Sequence, residues 1–258
     1  MAGTGAGAIL TEESAFLNPA SLAFFSASTF YAQKDSDKIT ENNIQKSKPN
    51  ALGFVMTDGN PSLSGSLSYV IQNEENISRK RWGLTLSSPV SDKSAFGVSV
   101  RQSKDLNLTS NTTTKYFQTV VGVTHSIDEK FSFGIVAYDP LKSKGKETKA
   151  LIGLQYIFFN YITTNIDFGG DYTNDDLSKT LQYKAAMQIK VLDDFYLRVG
   201  GFNDKARLET GSGFGLAWIQ PRLSFEFAIK NTKRAQDTTL QQTDATFKES
   251  SFAASIRF

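Results

Sequence analysis

Few side chains in this sequence could carry out catalysis or hold a metal ion. The chain has no cysteine and a single histidine, His125, which excludes thiolate sites and multi-histidine metal sites. His125 lies two and four residues after Val123 and Val121, so in a strand the three side chains share one face. His125 is therefore expected on the outward face of a strand rather than beside a nucleophile. The sequence therefore predicts no catalytic residue, no metal site and no cofactor, and we do not expect an enzyme.

The glycine run near the start of the chain, Gly3-Thr4-Gly5-Ala6-Gly7, does not fit phosphate chemistry. A phosphate-binding loop follows a strand and opens a helix, and neither pattern surrounds this run. The 28 basic and 26 acidic residues leave a net charge of +2. Such a balance gives no field that would attract a polyanion, so no nucleic-acid partner is expected.

Charged side chains instead recur at every second position of short segments. In the segment 222–230, apolar residues occupy the odd positions from Leu223 onward, while Arg222, Glu226 and Lys230 lie on the other face. Alternation with period two predicts strands whose two faces meet different environments. Fourteen such segments begin near Ser21, Asn50, Ser62, Arg79, Ser94, Thr114, Lys130, Thr148, Tyr161, Lys179, Asp193, Ala206, Pro221 and Thr246.

The links between these segments favour a membrane barrel over a soluble β-protein, which would explain the alternation alone. Long links at 34–49, 73–78, 103–113, 139–147, 171–178, 202–205 and 231–245 alternate with short ones. Outer-membrane barrels have an even number of strands of about ten residues, with short periplasmic turns and longer external loops. Such strands average to a hydrophilic value, like the mean hydropathy of −0.29 found here.

The sequence thus predicts an all-β fold, a 14-stranded antiparallel transmembrane β-barrel with a short N-terminal segment. We expect the barrel over residues 21–258 and the N-terminal segment over 1–20. The predicted location is the outer membrane of a Gram-negative bacterium, with both termini periplasmic. Aromatic residues near both ends of the strands, such as Tyr31, Tyr116 and Tyr138 at the long-loop end, predict two interfacial girdles.

With the apolar face outward, the inward face carries charges of both signs and ten glycines. The predicted lumen-lining residues are Arg81, Arg101, Asp167, Lys184, Arg198, Arg222, Glu226, Lys230, Glu249 and Arg257. Mutual neutralisation of these charges is the simplest interpretation, and they identify no solute. Repeated glycines in strands indicate either sharp curvature of the wall or another segment that lies close to it. Fourteen strands also enclose more space than wall side chains fill.

The N-terminal segment is the available occupant of that space. Its small residues make it a candidate plug, with Gly3, Gly5, Gly7, Asn18 and Pro19 as the residues expected to pack against the wall. The alternative is a flexible tail outside the barrel, since small residues at a terminus are often disordered.

Two local motifs and the C-terminus resemble a known family. Residues 12–23 contain Asn18-Pro19-Ala20-Ser21-Leu22, which resembles the signature before the first strand of the FadL-like long-chain fatty-acid transporter superfamily of outer-membrane β-barrels. Residues 88–98 resemble the Pro-x-x-Asp-Lys-x-x-x-Gly turn of the same barrels. The alternating Phe252, Ile256 and Phe258 resemble the C-terminal signal by which barrel-assembly machinery recognises outer-membrane proteins.

The resemblance implies passive transport of small hydrophobic or amphipathic solutes. The alternative is a non-transporting structural barrel that acts as an anchor, a shuttle or a homo-oligomeric assembly component in the cell envelope, which short polar loops and a mixed-charge interior would suit. The expected partners are outer-membrane lipid, the barrel-assembly machinery, and a second copy or another envelope protein. Lipopolysaccharide is a candidate ligand of the lysine-rich loop at Lys142, Lys144, Lys146 and Lys149.

Overall fold

The computed structural model describes residues 5–6, 8, 14–41, 44–47, 49–74, 76–143, 148–236 and 243–258. Its strands are β1 (Thr29–Glu41), β2 (Ile44–Ser47), β3 (Asn50–Thr57), β4 (Ser64–Asn73), β5 (Ile77–Ser91), β6 (Ser94–Asn107), β7 (Thr112–Ser126), β8 (Phe131–Tyr138), β9 (Lys149–Phe158), β10 (Ile162–Gly170), β11 (Gln182–Lys190), β12 (Phe195–Asp204), β13 (Glu209–Ile219), β14 (Leu223–Arg234) and β15 (Ala245–Arg257). A helical turn, α1 (Ser14–Leu17), and 3-10 turns at Pro19–Phe24 and Leu177–Lys179 complete the described elements.

The strands form one closed antiparallel barrel. From β3 to β15 each strand pairs with its neighbour in sequence, β1 pairs with β3, and β15 closes the ring on β1 from Thr29↔Arg257 to Glu41↔Ala245. The short β2 pairs only with the end of β1, around Ile39 to Glu41, and stays outside the ring. The remaining strands make a 14-stranded barrel, so the predicted fold class is confirmed.

The first strand begins later than the sequence predicts. The expected start was Ser21, but Ser21 is buried within the 3-10 turn Pro19–Phe24 and β1 starts at Thr29. The cause is local: Pro19 opens the turn and the Asn18 side chain caps it by accepting the backbone N–H of Ala20 at 3.0 Å. In the structure the segment that precedes the first strand therefore extends to residue 28, eight residues beyond the boundary expected at 20/21.

The alternation of long and short links holds in part. Long links follow β8, β10 and β14, at 139–148, 171–181 and 235–244. The links after β4, β6 and β12 were expected to be long but span only 74–76, 108–111 and 205–208. The hairpins β4–β5 and β6–β7 use those residues as paired strand instead, so β5, β6 and β7 reach 14 to 15 residues.

The two faces of the wall have opposite chemistry. Apolar side chains are exposed on the outside, and small or polar side chains such as Thr85, Ser99 and Asn165 are buried inside. A continuous exposed apolar belt of this kind is stable only against lipid, because in water it would be an aggregation surface. No helix in the described part of the chain is long and apolar enough to cross a bilayer.

Three tyrosines assigned to the long-loop girdle point inward instead. Tyr31 is 3% exposed and donates to Gln33 at 2.6 Å, Tyr138 donates to Leu17 O at 2.5 Å, and Tyr116 donates to Asp105 at 3.3 Å. Each phenol finds a polar partner in the lumen, which lipid would not supply. The outward girdle at this end contains Trp82 and Phe117.

Candidate functional site in the barrel lumen

The N-terminal segment enters the barrel, and Asn18 is its most connected side chain. Its amide nitrogen donates to Ala6 O at 2.7 Å, to Thr124 Oγ1 at 2.9 Å and to Val123 O at 3.3 Å. Asn18 is fully buried, and the turn that follows it packs against β5, β6 and β7. One side chain therefore ties the segment both to itself and to the wall.

Inward glycines make room for this segment. A Cβ on Gly97 would lie 2.4 Å from the Pro19 carbonyl carbon, and one on Gly122 would lie 2.0 Å from Asn18 Oδ1. A Cβ on Gly134 would lie 2.2 Å from Ala6 O. These distances are shorter than atoms can approach, so the segment fits only where the wall has no side chain.

Asp167 holds the earliest described residues of the segment. Its carboxylate accepts the backbone N–H of Gly5 at 2.8 Å and of Ala6 at 3.2 Å. Gly5 has φ of 134°, a conformation open to glycine, so a side chain there would strain the contact. Gly3 and Gly7, the other predicted plug glycines, lie outside the described residues.

Two wall side chains hold the helical turn α1. Arg101 donates to Phe16 O at 3.0 Å and Tyr138 donates to Leu17 O at 2.5 Å. These are the last carbonyls of the turn, which have no partner within it. The Phe16 side chain is thereby held across the lumen, against the cluster of Tyr31, Val55 and Ala253.

Two cavities lie on either side of Phe16. The larger, of about 400 Å³, lies between Phe16 and Leu17 on one side and β1, β3 and β12 to β15 on the other. Its apolar lining includes Ala228 and Ala253, and part of its floor is bare backbone at Gly213 and Gly215. The smaller, of about 240 Å³, is lined by Phe16, Ser68, Val70, Gln72, Arg79, Arg81 and Arg101.

The larger cavity carries one carboxylate more than its bases neutralise. Its two bases are paired, Arg198 with Glu226 and Lys230 with Glu249 at 2.9 Å. The additional acid is Asp35, whose described hydrogen bonds include one from Gln33 Nε2 at 2.7 Å. The two compartments therefore differ in composition, with three carboxylates beside two bases in the larger and three arginines in the smaller, one of which, Arg79, is paired with Asp105 at 2.8 Å.

The structure locates the remaining predicted lumen residues as follows. Lys184 is opposite Asp167 across β10 and β11, and Arg81 donates to Ser103 at 2.9 Å. Arg257, the last residue of β15, lies opposite Thr29 at the start of β1, and its guanidinium is 5.7 Å from the Phe25 ring. Arg222 is an exception: it is exposed in the turn before β14, because β14 begins one residue later, at Leu223.

Several residues of this site could not be identified from the sequence. Phe16 has no period-two pattern around it, and Tyr138 was assigned outward because tyrosine is common in girdles. Thr124 is an ordinary inward threonine until the fold places Asn18 beside it. The one available signal was the set of inward glycines, which indicated a segment against the wall without identifying its side chains.

His125 lies on the wall at the short-turn end, away from the lumen cavities. Its Nδ1 is 2.8 Å from Ser94 Oγ, and its ring lies 5.4 Å from that of Phe133. Beside it, Asp128 accepts the N–H groups of Lys130 and Phe131, which lowers the pKa of that carboxyl. Within the described residues no ion pair includes His125.

The comparison with known proteins identifies the fold. No family of sequences and no curated protein matches this chain. The Ralstonia pickettii toluene transporter TbuX matches over 100% of this chain and 96% of its own, with a TM-score of 0.77 at 10% identity. The Pseudomonas putida toluene transporter TodX matches over 100% of this chain and 96% of its own, with a TM-score of 0.76 at 11% identity. A Pseudomonas aeruginosa FadL homologue matches over 98% of this chain and 95% of its own, with a TM-score of 0.62 at 13% identity.

These similarities define a class of fold. The chain has the closed-barrel fold of these three solved structures, one of which is a FadL homologue. Identities of 10 to 13% carry the architecture alone, and the solutes named for those channels belong to them.

Proposed function

We propose that this protein is an outer-membrane channel for the passive transport of small hydrophobic or amphipathic solutes. The observation that supports this most directly is the cavity of about 400 Å³ between the N-terminal segment and the wall. Its size is within the range of pockets that hold small organic ligands, and its lining combines apolar surface with a few fixed polar groups. Because toluene transporters share the fold, monoaromatic compounds are the first candidates among such solutes.

The N-terminal segment, through residue 28, acts in this proposal as the plug. Its hydrogen bonds to Asp167, Thr124, Arg101 and Tyr138 support that role. A plugged lumen would exclude ions and large polar solutes while leaving the cavities open to small ones.

The charge of the two compartments favours neutral solutes. A carboxylate would meet the excess acid of the larger cavity, and an ammonium would meet Arg81 and Arg101 in the smaller, where Arg79 is already paired with Asp105. A neutral ring has no such penalty in either compartment. We therefore expect toluene to pass better than benzoate or benzylamine.

Uptake of labelled toluene by cells tests this function. Cells that produce the protein should take up toluene at low concentration faster than cells without it. An Ala253→Trp variant, which fills the larger cavity, should lose that gain while reaching the membrane in equal amount. Equal uptake with and without the protein would contradict transport and favour the anchor or assembly role.

The proposal also includes an orientation, with both termini and the short links in the periplasm. The absence of cysteine in the chain permits a direct test. A membrane-impermeant maleimide applied to intact cells should label a Thr173→Cys variant, in the long link 171–181, and leave a Ser62→Cys variant unlabelled. The reverse labelling pattern would invert the topology.

A further inference from the structure

Three lysines lie side by side on the outward surface of the wall. Lys80 of β5 is directly opposite Lys104 of β6, and Lys104 is directly opposite Lys115 of β7. All three side chains are exposed. Since neighbouring strands are about 4.8 Å apart, this lysine row places three ammonium groups across about 10 Å of surface.

The lysine row has no counter-charge within the described part of the chain. None of the ion pairs there includes Lys80, Lys104 or Lys115. The nearby Arg79–Asp105 pair belongs to the inward face, because its residues alternate with those of the row. Like charges directly opposite in a sheet are destabilising, so the protein alone gains nothing from this arrangement.

The position of the row along the strands matches the headgroup level of a membrane. Trp82 and Phe117, which are 50% and 59% exposed, lie two residues from Lys80 and Lys115, or about 7 Å along the strand. Beyond them the outward face is aliphatic, with Leu84 on β5 and Val100 on β6. Aromatic rings mark the boundary of the hydrocarbon, and charges just beyond it meet lipid headgroups.

We propose that Lys80, Lys104 and Lys115 bind the phosphate groups of lipopolysaccharide in the outer leaflet. Phosphate supplies the missing counter-charge, and ammonium groups make charge-assisted hydrogen bonds to its oxygens. The aromatic and aliphatic side chains below the row provide surface for the acyl chains of the same molecule. The site depends on the outer-membrane location and on the orientation proposed above, and not on transport.

This site differs from the lysine-rich loop that the sequence suggested. Of that loop, Lys144 and Lys146 lie outside the described residues, and the Lys149 ammonium lies 5.1 Å from the Tyr138 ring. The loop begins beside β7, where Asp139 N donates to Thr119 O at 2.7 Å, so Lys142 follows close to the same part of the wall. The lysine row is the part held rigidly by strand pairing.

The experiment compares the intact protein with a K80Q/K104Q/K115Q variant in detergent. Purified lipopolysaccharide is added, and the bound molecules are counted by native mass spectrometry. We expect the variant to bind at least about tenfold more weakly, since each exposed lysine near a lipid phosphate contributes modestly and three act together. Without lipid, the variant should resist thermal unfolding at least as well as the natural protein, because removing the row relieves repulsion.

A matched control removes three lysines at the opposite end of the barrel. The K93Q/K130Q/K190Q variant has the same change in net charge and should bind lipopolysaccharide like the natural protein. Equal loss of binding in both variants would mean that net charge, not the row, attracts the lipid. Undiminished binding by the K80Q/K104Q/K115Q variant, or equally tight binding of dephosphorylated lipopolysaccharide, would also overturn the proposal.

Discussion

At the scale of single residues, the absence of a side chain at a few wall positions decides whether the N-terminal segment fits. Gly97→Ala would place a methyl group 2.4 Å from the Pro19 backbone, which cannot rotate away. We expect this variant to displace the segment and to show ion conductance in planar bilayers where the natural protein shows none.

Gly53→Ala is the matched control for that experiment. Gly53 is also an inward glycine, but the nearest atom to its added Cβ is a Val70 methyl group at 3.8 Å, an ordinary contact. This variant should remain closed. Equal conductance of the two variants would mean that the barrel opens for a reason unrelated to the segment.

Asn18 provides a second prediction at this scale. Asn18→Ala removes the donor to Ala6 O and Thr124 Oγ1 and leaves buried polar groups without a partner, at a cost of about 1–3 kcal/mol to the docked segment. Limited proteolysis from the short-link side should then cleave the N-terminal segment faster, with the barrel intact. In an Asn231→Ala variant, changed at an exposed position, the N-terminal segment should be cleaved at the same rate as in the natural protein.

The sequence could predict which faces of the strands point inward, but not the partners of individual inward side chains. Parity along a strand places Asp167, Arg198 and Glu226 inside without any knowledge of the fold. The Asp167 contact joins positions 5 and 167, and nothing in the local pattern of either indicates the other. Tyr31 shows a further limit. The alternation along its strand places its side chain inward, where the structure has it, but the expectation of an aromatic girdle outweighed that signal.

At the scale of elements, the last strand carries the predicted assembly signal. Phe252 and Ile256 are exposed on its lipid face, and Phe258, 77% exposed, donates its N–H to Ser28 O at 3.0 Å. Deletion of Phe258 should lower the amount of protein in the outer membrane severalfold, measured by heat-modifiable gel mobility. Ser251→Ala, on the inward face of the same strand, should assemble normally.

Strand number was easier to predict than strand length. Thirteen of the fourteen predicted barrel starts lie within three residues of a strand start, because alternation begins with each strand. The extensions of β5, β6 and β7 into the expected links 73–78 and 103–113 were not predicted, since their polar residues resemble a loop. Register explains them: Arg79 and Asp105 lie opposite each other and form an ion pair at 2.8 Å, which continues the hairpin above the apolar belt.

At the scale of the whole molecule, the prediction is that the segment before β1 closes the barrel. A truncation that begins at Ser26 should conduct ions in planar bilayers, since it lacks α1 and the 3-10 turn Pro19–Phe24. A truncation that begins at Ala20 should conduct less, because it retains most of that turn. Large stable channels in the intact protein would contradict the plug, and closed truncations would show that the wall itself closes the lumen.

The difference in charge between the two compartments predicts how matched solutes bind. Benzylamine should prefer the larger cavity, where Asp35 remains after Arg198 and Lys230 are paired with Glu226 and Glu249. An Asp35→Asn variant should weaken benzylamine binding about tenfold, as expected for loss of one nearby charge at an effective dielectric constant near that of protein surfaces. Toluene uptake should be unchanged by the same substitution, because a neutral ring does not interact with that charge.

An Asp193→Asn variant is the control, since it removes a carboxylate from the exposed link before β12. It should leave both benzylamine binding and toluene uptake unchanged. Calorimetric titration of benzylamine into the natural protein and the two variants therefore separates a local effect of Asp35 from an effect of net charge. Equal benzylamine affinity in all three would mean that the excess acid of the larger cavity has no influence on the solute.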